Sequence, residues 1–162
     1  LPTLCVDLQR YGQRQKGTAV IWDLDPVEAT YAVAERLAAL FEQVVVLTPR
    51  EQIASDCSLV TRQSVLRRMH HAGVTVHALS QLLWDDGFEA HGRLAYDSIY
   101  GGRRGEIHDV ALLTYATPRH PNTELLQALQ ASGRRVYQVG DCLAAGETLT
   151  ATAQGYGVGV SI

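Results

Sequence analysis

From Thr18 to Trp22 the chain is almost unbroken in apolar side chains, the pattern of a strand covered on both faces, as parallel strands between helices are. Acidic residues end the run. From Val27 the apolar positions recur at Val27, Tyr31, Ala34, Leu37, Ala38 and Phe41, which predicts a helix with one buried stripe, and Pro26 suits its first turn. A second apolar run, Val44 to Leu47, follows at once. Ser58 to Ala72 places Leu59, Val65, Leu66 and Met69 on one helical face, with Gly73 as a C-terminal cap and a third short strand from Val74 to His77.

Leu79 to Asp109 changes to short alternating pieces broken by Asp85-Asp86-Gly87, Gly92 and Gly101-Gly102, with Arg93 to Tyr100 the best strand among them. Val110 to Tyr115 predicts another buried strand, Thr123 to Ser132 a helix capped at Asn122 or Thr123 and ended by Gly133, and Val136 to Val139 a last strand. Ala144 to Gln154 predicts a helix that frays afterwards, because Gly155, Gly157 and Gly159 each cost up to about 1 kcal/mol in a helix interior. The closing GYGVGVSI could equally be an extended tail.

Strand, helix, strand twice in series is the mark of parallel crossovers. The expected class is α/β, a Rossmann-like three-layer fold with a central parallel sheet and an antiparallel β-meander laid on it. The expected division is a lead-in or linker over 1–17, a nucleotide-type domain over 18–121 and a return segment of an adjacent domain over 122–162.

The first strand-to-helix turn reads Asp23-Leu24-Asp25-Pro26-Val27-Glu28. Phosphate-binding turns use glycines and free N–H donors at the helix start, whereas this one has no glycine, three carboxylates and a proline. Each carboxylate would repel a phosphate there by a few kcal/mol at moderate dielectric, more than one helix dipole returns. Either the scaffold has kept its shape and lost its ligand, or Asp25 caps the helix while Glu28 favours its first turn. Thr48-Pro49-Arg50-Glu51 follows the second strand, where dinucleotide enzymes select the adenosine ribose through an acid or an arginine. Arg50 beside Glu51 points both ways, and a plain polar turn closed by proline fits too.

The chain has 162 residues, enough for one domain or one plus a part, and ordinary apolar content. No run approaches the roughly twenty apolar residues of a membrane span, and no signal-peptide pattern is present. The net charge of −3 has mixed signs, so the basic footprint of a nucleic-acid binder is absent. Arg67-Arg68, Arg103-Arg104 and Arg134-Arg135 read as scattered solvated faces. Cys5, Cys57 and Cys142 form no C-x-x-C motif, and an odd count suits a reducing cytoplasm better than a disulfide framework. A first residue other than methionine makes an excised or processed chain plausible.

The segments VIWDLDPVEATYAVAERLA, VVVLTPRE, RRMHHAGVTVH, GRRGEIHDVALLTYATPRHPNTELLQAL and RVYQVGDCLAAGETLTATAQG resemble the carboxyl-terminal region of flavin and iron-sulphur oxidoreductases. These are the trimethylamine and dimethylamine dehydrogenase type, related to 2,4-dienoyl-CoA reductase. The similarity covers nearly the whole chain and is most specific over Val136 to Gly155. It implies that Gly140, Asp141, Cys142 and Leu143 form a turn contacting FAD or ADP, with Leu143 to Glu147 opening the helix behind it. It also implies that Asp23, Thr48 and Arg50 belong to a vestigial NAD(P)-type face.

In such relatives a barrel carrying FMN, a cysteine cluster for an iron-sulphur centre and a glycine-rich turn opening the FAD domain belong to the same protein. None of the three motifs is in this sequence. The implied role is a nucleotide-binding-like part of a flavin-dependent oxidoreductase, without tightly bound cofactor or catalysis of its own. Its partners would be the FMN barrel and an electron acceptor, and a homo-oligomer is possible. The alternative is a structural module whose Val136 to Leu149 surface packs on another chain.

The six histidines lack partners at ligand spacing, since His70 and His71 project from different faces of a helix and His77, His91, His108 and His120 stand apart. No G-x-S-x-G elbow occurs, and Cys142 beside Asp141 reads as a buried small side chain. A free-standing NAD(P)-dependent enzyme is disfavoured by the acidic turn and the lack of an acid/base pair.

Overall fold

The computed structural model describes residues 8–11 and 13–162; Cys5 and the first seven residues of the expected lead-in lie outside them. The chain divides into two compact units, 1–117 and 118–162.

In the first unit a 3-10 turn over Leu8–Arg10 precedes β1 (Gln15–Asp23), α1 (Glu28–Leu40), β2 (Phe41–Leu47), α2 (Leu59–His71) and β3 (Thr75–His77). Then come β4 (Ser80–Leu83), a one-turn α3 (Gly87–His91), β5 (Leu94–Ser98), β6 (Arg104–Ile107) and β7 (Val110–Ala116). Four strands form a parallel sheet in the order β3-β2-β1-β7, and β4-β5-β6 form a separate antiparallel sheet. The parallel crossovers and the meander are those expected from the hydrophobic pattern.

The sheet is covered on both faces, which explains the unbroken apolar runs. On one face Ala19, Ile21, Val44 and Val46 pack with Tyr31, Ala34 and Leu37 of α1 and Val65 and Met69 of α2. On the other, Val20, Val45 and Leu47 pack with Leu94 and Ile107 of the antiparallel sheet. Arg68 of α2 reaches Glu28 and Glu35 of α1, at 3.2 and 3.5 Å, so one member of the Arg67-Arg68 pair bridges two helices instead of only facing solvent. All three side chains are partly exposed, which limits the bridge to a few tenths of a kcal/mol, about 0.2–1.

Boundaries depart from the sequence reading in several places, among them Phe41, expected in the helical stripe, which opens β2 instead. β1 begins at Gln15, inside the segment expected to be a lead-in, and Gly17 is a bulge within it: φ is +87°, and the register against β2 slips between Gln15 and Thr18. A Cβ at Gly17 would lie 2.5 Å from the Asp109 carbonyl oxygen, which accepts the Thr18 N–H at 2.7 Å, so only glycine allows that approach. Pro26 falls outside the first turn of α1, whose N-cap is Val27.

The second unit holds α4 (Glu124–Ala131), a 3-10 turn over Gly140–Cys142 and α5 (Thr148–Gly159). Three expectations are corrected here. Val136–Val139 is not a strand, because the described part of this unit holds no other strand whose ladder could satisfy its backbone. The last helix starts at Thr148, not Ala144, and continues through all three glycines with no positive φ at any of them, so it neither frays after Gln154 nor becomes an extended tail. Cys142 is exposed, not buried. Among the described residues no helix is long and apolar enough to cross a membrane.

Candidate functional site

In an open parallel sheet, ligands bind beyond the carboxyl ends of the strands. Here that edge is built from the β1–α1 turn, the Thr48–Arg50 segment after β2 and the loop after β3. The structure brings three of the expected residues together there. Asp23 ends β1, fully buried, and Tyr31 of α1 donates its hydroxyl to Asp23 Oδ2 at 2.7 Å. The same hydroxyl oxygen accepts the Ala54 N–H at 2.6 Å. Thr48, also fully buried, places its hydroxyl 3.4 Å from the Asp23 carbonyl oxygen and accepts the Arg50 N–H at 3.3 Å. Arg50 donates through Nη1 to the Asp23 carbonyl at 3.4 Å and through Nη2 to the Leu24 carbonyl at 3.2 Å.

The Asp23 carboxyl therefore faces the protein interior. Burial pushes it above the usual carboxylate range, while the Tyr31 hydroxyl, the Arg50 guanidinium and the Thr48 hydroxyl pull the other way. Its Oδ1 has no hydrogen-bond partner among the described residues. Burial likewise raises the Tyr31 hydroxyl above its ordinary range. The network also holds a strained segment, since Ala54 sits at φ +57°, a region non-glycine residues enter at a cost of about 1–2 kcal/mol.

The turn itself is closed to a diphosphate by its own backbone. The Val27 N–H donates to the Asp25 carbonyl at 2.8 Å, the Thr30 N–H to the Val27 carbonyl at 3.1 Å, and the Thr30 hydroxyl to Asp25 O at 2.6 Å. Asp25 thus serves the helix start through its carbonyl oxygen, and Val27, the N-cap, makes no side-chain capping bond. With these donors engaged and Arg50 drawn onto two carbonyls, the residues do not fit a dinucleotide pyrophosphate in the mode of a glycine-rich turn.

Beside this turn, an open cleft of about 380 Å³ is lined by residues that include Pro49, Arg50, Glu51, Ser55, Leu79 and Tyr100. Sequence reasoning reached Arg50 but missed Leu79 and Tyr100, which come from the loops after β3 and β5. Leu79 carries a signal only coordinates reveal, a φ of +54°. Its N–H donates to the Arg50 carbonyl at 2.9 Å and its own carbonyl accepts the Ile99 N–H at 2.9 Å.

In the second unit, Gly140, Asp141 and Cys142 form the 3-10 turn and Leu143 follows it. Gly140, at φ +62°, donates its N–H to Gln154 Oε1 at 2.6 Å, and its carbonyl accepts from Leu143 and Ala144 at 2.9 and 3.0 Å. Asp141 Oδ1 accepts the Gly146 N–H at 3.3 Å. The donors a flavin or ADP diphosphate would use at Gly140, Leu143 and Ala144 are engaged internally, whereas the exposed Asp141 carboxylate retains acceptor capacity suited to sugar or ribityl hydroxyls. Among the described residues no group of three or more His, Cys, Asp and Glu is placed to hold a metal ion.

No protein-family model and no curated protein matches the sequence. Solved structures do match its fold. The 6-hydroxypseudooxynicotine amine oxidase of Pseudomonas geniculata N1 superposes with a TM-score of 0.79 at 22% identity, over 98% of this chain and 23% of that one. Histamine dehydrogenase from Rhizobium sp. 4-9 gives 0.77 at 17% identity, over 97% and 24%. A 2-naphthoyl-CoA reductase gives 0.72 at 19% identity, over 97% and 23%. The chain spans about a quarter of the length of these proteins. Its fold is therefore that of a stretch of oxidoreductases of the trimethylamine dehydrogenase and dienoyl-CoA reductase type, as the sequence resemblance implied.

Proposed function

We propose that the chain is a nucleotide-binding-like part of a flavin-dependent oxidoreductase of the amine dehydrogenase or enoyl reductase type, and that it performs no catalysis alone. The observation that carries this reading is the pairing of a dinucleotide-type scaffold with a first turn whose Val27 and Thr30 N–H groups are already engaged and whose aspartate is turned inward. The parent protein would supply FMN and an iron-sulphur centre, and this part would present a docking surface to the FMN barrel or to an electron acceptor in the cytoplasm. Asp141 would meet a ribose or ribityl hydroxyl of FAD or ADP. Asp23, Thr48 and Arg50 would keep the NAD(P)-type face as a braced scaffold without its ligand.

The test is calorimetric titration of the purified chain with NAD, NADP, ADP and FAD. Absence of saturable binding by NAD and NADP at millimolar ligand, and at most weak binding of ADP or FAD, is expected. A dissociation constant below micromolar for FAD or ADP, or turnover of NADH by the chain, would overturn the reading.

A second reading, a structural module packing on another chain, is favoured by the second unit. Neither of its helices has a buried residue, and Leu125, Leu143, Leu149 and Tyr156 are exposed. In α5 three glycines cost up to about 1 kcal/mol each, and a side chain at any of them would meet only open space. If a second copy covers this surface, sedimentation shows an oligomer that dissociates in Val139→Asp. A monomeric native chain counts against that form of the reading.

A further inference from the structure

A second groove, of about 860 Å³, opens between β3 and the β5–β6 hairpin. Its walls include Val76, His77, Tyr96, Ser98, Tyr100 and Arg103. The rings of His77 and Tyr96 lie against each other with centroids 4.7 Å apart and planes 38° apart, a tilted aromatic pair in the groove wall. Gly105 is directly opposite Tyr96 in the ladder, and a Cβ there would collide with the Tyr96 ring, so glycine lets that ring lie down on the hairpin backbone. Tyr100, 76% exposed, stands at the rim on the Gly101-Gly102 turn, and with the strained Leu79 it separates this groove from the Arg50 cleft.

Charge narrows what could enter. The chain is net negative, yet the groove is lined by two arginines and contains no carboxylate. Arg103 is exposed and makes no ion pair among the described residues. A stacking surface next to a cation without a counter-charge suits a flat ring bearing an anion.

We propose that this groove binds an aromatic anion, its ring on the His77–Tyr96 surface and Tyr100, its phosphate or carboxylate against Arg103. The site is separate from the β1–α1 turn and does not depend on whether that turn has lost a dinucleotide. A nucleoside monophosphate and an aryl carboxylate share the required chemistry.

The test is NMR titration of the full chain with AMP, benzoate, adenosine and inorganic phosphate, following the ring signals of His77, Tyr96 and Tyr100. AMP or benzoate should shift these signals saturably, while adenosine and phosphate alone bind at least about ten-fold more weakly. Arg103→Glu and Tyr100→Ala change exposed side chains, and each should weaken the bound anion about ten-fold. Arg50→Ala should leave it unchanged. Saturation by AMP alone assigns the site to nucleotides and by benzoate alone to aryl carboxylates, and either supports the proposal. No shift with either at millimolar concentration, unaltered binding in R103E, or loss in R50A alone would overturn it.

Discussion

The hydroxyl of Tyr31 reaches from α1 back to the carboxylate that ends β1, lying 2.7 Å from Asp23 Oδ2 while accepting the Ala54 N–H. One phenol thus ties together the strand, the helix and the segment that follows β2. Tyr31→Phe leaves a buried carboxylate and a buried N–H without that partner, at a cost of roughly 2–4 kcal/mol. Urea unfolding should register that loss. Hydrogen exchange should show the amide of Ala54 opening faster than those of β1.

The same pair sets a pH dependence. The folded chain holds the Asp23 proton to a higher pH than the unfolded chain, whose carboxyl titrates near 3.8. Between that value and the raised one, the folded state binds more protons. This contribution to stability is complete below pH 3.8 and is lost as pH rises through the folded-state value. Tyr31 works in the same sense above pH 10, because its folded-state value is also raised. Asp23→Asn should remove this fall in stability with rising pH above 3.8 in a series of urea unfolding curves. An unchanged slope would contradict the burial argument.

At Gly17, alanine would combine a φ of +87° with a Cβ 2.5 Å from the Asp109 oxygen. Gly17→Ala should destabilise the chain by about 2 kcal/mol or more, the left-handed cost plus displacement of β7. Gly101→Ala, also at positive φ but with open space around it, should cost only the conformational part, about 1 kcal/mol. The difference between the two thermal shifts isolates the close approach.

Arg50 donates to two carbonyls of the β1–α1 turn. Arg50→Ala should cost about 1 kcal/mol of stability, from partly exposed bonds to neutral acceptors. It should create no affinity for NAD or NADP, since the Val27 N–H remains bonded to Asp25. Calorimetry on the variant checks both the stability and the binding.

The first crossover was legible because strands covered on both faces and a one-sided helix leave different periods in the sequence. Val20 and Ile21 face opposite layers, and both had to be apolar. Asp23, Thr48 and Arg50 were grouped as one face by the family resemblance, and the structure places all three at strand ends. That Asp23 turns inward was not legible, because a carboxylate after a strand is exposed by default. The available signal was Tyr31, a phenol in the buried stripe whose hydroxyl needs a partner within reach. Val136–Val139 misled for the opposite reason: apolar alternation reports suitability for a strand, and pairing depends on a neighbour that the pattern does not supply. Leu79 and Tyr100 were invisible as site residues since both are placed by long-range loop contacts.

The strand order has a consequence for how the molecule comes together. β1 lies at the middle of its sheet, with β2 on one side and β7 on the other. The Thr18 hydroxyl donates to the carbonyl of His108, 90 residues away. During synthesis the first crossover can assemble early, but β1 keeps one bare edge until β7 has emerged. Closing so wide a loop is slow, so the late arrival of β7 should set the folding rate, and exposure of that waiting edge should set the molecule's tendency to aggregate as it folds.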